Sequence, residues 1–144
     1  MKSFRAEENW SEFVKLGKQA LKGEHRNLLI ERRNATVLSS VDFEEAMIGK
    51  MPNEKRWDYF VEASTLPSAL HAVEVHEFDK QALVGKKNGT LRLLDEYCPS
   101  ARDEIKSWNV ALKGEAPRSD NVNRFFADTK IRVGRQVQIA GLPV

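Results

Sequence analysis

Asp58, Glu74 and His76 are the side chains whose types and spacing could do chemistry. They lie in RWDYFVEASTLPSALHAVEVHEF, from Arg56 to Phe78, where Asp58 sits beside Tyr59, Phe60 and Val61, and Glu74 sits between Val73 and Val75. Both runs have the β-branched and aromatic content of strands, joined by a loop that contains Pro67. A carboxylate in such a run is costly to bury alone, so it either faces solvent or meets a cation or base. Strand side chains alternate between faces. Ala72, Glu74 and His76 therefore share one face, and His71, Val73, Val75 and Glu77 share the other. Two acids on adjacent strands with an imidazole beside one of them can hold a divalent metal. The plainer alternative is a strand-end ion pair of Asp58 with Arg56 or Lys55, and a solvated face for Glu74 and His76.

The elements that must position these residues follow from periodicity. Trp10, Phe13, Val14, Ala20 and Leu21 predict an amphipathic helix from Glu7 to Lys22, stopped by Gly23. A strand is expected over Ala35 to Val41. A short helix then runs through Phe43, Ala46, Met47 and Ile48 to Gly49, capped by Ser39, Ser40 or Asp42 and carrying Glu44 and Glu45. After the two acid-bearing strands, Asp79 opens a helical region reaching Tyr97. Asn88 and Gly89 in its middle suggest two pieces, since Gly costs about 1 kcal/mol against Ala in a helix. Ile105 to Leu112 reads as a strand, Asp120 to Asp128 as a helix, and Gln136 to Ala140 as a last strand. Strands separated by helices at this spacing predict an α/β fold: a single-domain mixed sheet flanked by helices.

Composition narrows the class. The 144 residues suit one domain, and 23 basic against 21 acidic residues leave a net charge of +2, too small to indicate nucleic-acid binding by itself. Distribution is more informative. Arg118, Arg124, Lys130, Arg132 and Arg135 would follow a phosphate backbone if they formed one face, and are otherwise a solvated rim. No apolar run approaches the roughly 20 residues that span a bilayer, and MKSFRAEENW lacks the apolar core of a signal peptide. A single cysteine, Cys98, permits no internal disulfide. These features lead us to expect a cytoplasmic protein with no membrane contact.

With the elements placed, Asp58 and Glu74-Val75-His76 resemble the active-site pattern of the PD-(D/E)XK, or restriction-endonuclease-like, superfamily: an Asp on one strand and acid-x-Lys on the next, in an α-β-β-β-α-β core. The resemblance covers roughly Glu7 to Leu112. It implies a restriction-endonuclease-like core and a metal-dependent nuclease, with DNA favoured over RNA. Asp58 and Glu74 would be the ligands of Mg²⁺ or Mn²⁺, with Glu44 or Glu45 a supporting acid. The chain departs from the pattern where His76 occupies the lysine position. His76 can ligate or hydrogen-bond but carries no permanent charge, so Lys86 or Lys87 from the following helix would supply the cation. Arg118, Arg124, Arg132 and Arg135 would hold the nucleic-acid backbone. The competing expectation is a catalytically inactive protein of the same fold that binds a protein partner or nucleic acid.

Overall fold

The computed structural model describes residues 1–144. In chain order the elements are α1 (Lys2–Ala6), α2 (Glu8–Ser11), β1 (Val14–Leu16), α3 (Gly23–Arg26), β2 (Leu29–Ile30), β3 (Val37–Asp42), α4 (Phe43–Ile48), β4 (Tyr59–Ala63), β5 (Leu70–His76), α5 (Lys80–Tyr97), α6 (Pro99–Glu104), β6 (Ile105–Leu112), α7 (Ser119–Thr129), β7 (Ile131–Gly134) and β8 (Val137–Gln138), closed by a 3₁₀ turn, Ile139–Gly141. One six-stranded mixed sheet, ordered β1-β3-β4-β5-β6-β7, serves the whole chain. Pairing is antiparallel from β1 through β5 and parallel from β5 to β7, where helices make the crossovers. A separate parallel pair joins β2 to β8.

Both faces of the central strands are buried, which explains why β4 and β5 read as nearly continuous apolar runs. Phe60, Ala72, Trp108 and Val110 face a larger core with Phe4, Trp10, Phe43, Leu83 and Leu94, residues of the helices. Tyr59, Val61, Val73, Val75 and Ala111 face a smaller core closed by Leu21, Leu29, Val137, Ile139 and Leu142. The alternation expected for β5 therefore holds, and Glu74 belongs to the helix-covered face.

The structure departs from the periodicity in four places. The helix expected over Glu7 to Lys22 is absent. The chain there forms α2 and then β1, whose Val14 pairs with Val41, and it turns at Gly17 with φ of +53°. Lys80 to Tyr97 is one helix of 18 residues, not two pieces, and Asp79 caps it by accepting from the Ala82 N–H. The last strand of the large sheet is β7, set off from α7 by the left-handed Lys130, whereas Gln136 to Ala140 holds only the two residues of β8 and the 3₁₀ turn. Asp58 lies immediately before β4, not within it. No helix is long and apolar enough to cross a membrane.

Candidate functional site

The β4–β5 ladder pairs Tyr59 with Val73 and continues no further toward the start of β4. Beyond that point two carboxylates replace the missing backbone partners. Asp58 Oδ2 accepts from the Val75 N–H at 3.0 Å, and Glu74 Oε1 accepts from the Asp58 N–H at 2.9 Å. Each acid thus holds the backbone next to the other. Lys86, one turn and a half into α5, completes the group by donating to Glu74 Oε2 at 2.6 Å. The loop ahead of Asp58 is fixed from two sides. The Asp58 carbonyl accepts from the N–H groups of Phe43 and Glu44 in the first turn of α4, at 2.9 and 3.4 Å. The Trp57 N–H donates to Thr90 Oγ1 of α5 at 2.8 Å.

Electrostatics follow from burial. Glu74 is fully buried, Asp58 half-buried, and the Lys86 side chain one quarter exposed. Desolvation, then the charge of Asp58, pushes the Glu74 carboxyl up from 4.5 to about 8, against the pull of Lys86. Burial pulls the Lys86 ammonium down, but its hydrogen bond to Glu74 and the charges of Glu74, Asp58 and Glu44 outweigh that and hold it above its ordinary value. A donor on each Glu74 oxygen suits the ionised carboxylate, whereas burial and the charge of Asp58 favour the protonated one.

The structure brings together Asp58, Glu74 and Lys86. It leaves the other expected residues elsewhere. His76 ends β5, half-buried, with Nδ1 at 2.8 Å from the Glu77 carbonyl. Lys87 points away from Lys86: its ammonium donates to the Thr129 carbonyl at the end of α7 at 2.7 Å and lies 5.3 Å over the Trp108 ring. Its role there is to satisfy a helix C-terminus. Glu44 and Glu45 are exposed in the first turn of α4, and Glu44 is close enough for its charge to act on Lys86. Arg118, paired with Asp120 at 3.4 Å, is the residue before α7, and the exposed Arg124 lies on it. Arg132 on β7 stacks over Phe126, and Arg135 is in the turn that follows. Of the four only Arg132 lies on β7, the edge strand that β6 separates from β5.

No three His, Cys, Asp or Glu side chains are grouped as a metal site. The two carboxylates present suit a small hard cation that retains most of its water, since Mg²⁺ is commonly held by one or two protein carboxylates. Asp58 Oδ1 accepts no hydrogen bond, whereas each oxygen of Glu74 already accepts one. Sequence reasoning missed Gly89 and Thr90, which seat the loop on α5, although a glycine in the middle of an otherwise helical run was a signal of close backbone approach. It also passed over a polar group on the opposite face, where the buried His71 Nδ1 meets Ser107 Oγ at 2.8 Å and Asn109 donates to Ser107 Oγ and to the Ala72 carbonyl. Comparison of the chain with family models, curated proteins and solved structures returned no match.

Proposed function

We propose that this chain is a divalent-metal-dependent nuclease that hydrolyses phosphodiester bonds, with DNA as its substrate. The observation that carries the reading is the convergence of two carboxylates and one lysine, Asp58, Glu74 and Lys86, in a single hydrogen-bonded cluster. Support also comes from the order β3, β4, β5, α5, β6, with α4 inserted between β3 and β4 and α6 between α5 and β6, which keeps the strand and helix order that the PD-(D/E)XK resemblance implies. In this reading Asp58 and Glu74 hold Mg²⁺ or Mn²⁺, and the ion when bound supplies a water of lowered pKa and charge for the phosphate. Lys86 takes the part of the family lysine that His76 cannot play. Its partly exposed ammonium leaves Glu74 and turns to the phosphate, where fixed positive charge stabilises the transition state. Arg118, Arg124, Arg132 and Arg135 hold the nucleic-acid backbone.

A second reading has its own observation. Lys86 and the Asp58 N–H already satisfy both oxygens of Glu74, as they would in a catalytically silent protein of this fold that binds a partner or nucleic acid. Cleavage of labelled single- and double-stranded DNA and RNA with Mg²⁺, Mn²⁺ or chelator separates the two. The nuclease reading expects metal-dependent cleavage by the wild type, abolished in Glu74→Ala and in Lys86→Met. Absence of cleavage under every condition, or equal cleavage by the variants, refutes it and leaves the binding role.

A further inference from the structure

We propose that Thr90 is a positioning residue for the cluster, holding Asp58 against Glu74 and Lys86, and that a glycine stands at 89 because that contact requires it; its catalytic meaning rests on the reading of the cluster as a nuclease site. Thr90 is fully buried in the middle of α5. Its hydroxyl has one proton to give, and the Lys86 carbonyl at 2.8 Å takes it, the usual bond of a helical threonine to the carbonyl four residues back. Oγ1 is then left as an acceptor, and the Trp57 N–H fills it at 2.8 Å.

The contacts now close a circuit. Trp57 N–H binds Thr90, Thr90 binds the main chain of Lys86, the Lys86 side chain binds Glu74, and Glu74 binds the N–H of Asp58, the residue after Trp57. Every member of the site lies on this ring or next to it. The ring leaves little room, because a Cβ on Gly89 would stand 1.8 Å from the Lys55 carbonyl oxygen. The helix backbone and the chain before Asp58 are therefore in direct contact. A helix that gives up propensity at both Gly89 and Thr90, in its middle, breaks a local rule in exchange for this contact.

The test measures amide hydrogen exchange of the full chain by NMR together with cleavage kinetics, for wild type, Thr90→Val, Thr90→Ser and Thr90→Ala. Thr90→Val keeps the shape and removes the acceptor. It is expected to lose protection at Trp57 and also at the Asp58 N–H, which Thr90 does not touch, while β5 and β6 amides stay protected. Thr90→Ser is expected to restore both. In kinetics, Thr90→Val is expected to lower kcat by about tenfold or more with KM unchanged, since misplacement of reacting groups by about 1 Å can cost about a hundredfold. Should the valine variant fail to fold, Thr90→Ala, which leaves space for a water on the Trp57 N–H, is expected to show the same loss at Asp58. Full protection of Asp58 in whichever of these two variants folds overturns the proposal, whatever the kinetics. A wild type that cleaves nothing overturns the nuclease reading separately, and the exchange at Asp58 then decides the positioning role alone.

Discussion

Replacing Glu74 by Gln is the sharpest probe of the electrostatics described above. The Glu74 carboxyl is raised from 4.5 to about 8 by burial and by Asp58. A group whose folded-state pKa is raised binds its proton more tightly when folded. Its contribution to stability is complete below the unfolded pKa and is lost as pH rises through the folded one. At about 1.4 kcal/mol for each tenfold in proton affinity, ionising Glu74 costs about 5 kcal/mol more in the folded chain than in the unfolded one. Nearly all of that falls between pH 5 and pH 9. Glutamine cannot ionise; it keeps an oxygen for the Asp58 N–H, and Lys86, already partly exposed, turns to solvent. Urea denaturation of both proteins at intervals from pH 5 to pH 9 is the assay. The stability of the wild type relative to Glu74→Gln is expected to fall by about 4 kcal/mol across that range. A difference that stays constant with pH would refute the reasoning, because it would mean that neither burial nor Asp58 perturbs the carboxyl.

Further tests bear on neighbouring residues. Lys87→Met is expected to lower stability, read as a lower urea midpoint, and to spare metal-dependent cleavage, whereas Lys86→Met is expected to abolish cleavage; the reverse order would exchange their roles. Gly89→Ala gains helix propensity but forces a Cβ against the Lys55 carbonyl, so calorimetry should show a net loss of about 1–3 kcal/mol, the usual cost of overpacking. On the opposite face, burial lowers His71 from 6.5 to about 4, so stability is expected to fall as pH drops through that interval, by about 3 kcal/mol. A His71→Gln variant should flatten that acid limb in the same denaturation series. Binding of Mn²⁺, followed by calorimetry, should weaken as pH falls below about 8 in the wild type, because the proton on Glu74 competes with the ion.

The sequence pointed to the acid cluster where side-chain type and strand alternation agreed. Asp58 and Glu74 stood out as acids in apolar runs, and β5 places Glu74 on the face that the period of two assigns. The same signal has no power to separate function from architecture. Glu62, an equally buried acid on β4, is absorbed by Arg5, Ser39 and the Ser68 N–H. The choice between Lys86 and Lys87 was beyond reach, because neighbours on a helix point about 100° apart and only the packing of α5 decides which meets the sheet. Elements of three or four residues, such as β1 and β7, carry too few side chains for periodicity to register. They exist because a neighbouring strand offers them hydrogen bonds. Gly89 read as a helix breaker for a related reason: propensity knows nothing of the chain that lies against it.

The pairing of β2 with β8 has a consequence for how the molecule assembles. Leu29 reaches its partner Val137 only after nearly the whole chain has been made, whereas the circuit through Trp57, Asp58, Glu74, Lys86 and Thr90 closes within one short stretch. Contacts close in sequence form fast and distant ones slowly. During synthesis, then, the acid cluster can take shape while the back of the sheet, with Val61, Val73 and Val75, still lies open. That apolar surface awaits Val137, Ile139 and Leu142 and stays open to water, and so to association, until they are made.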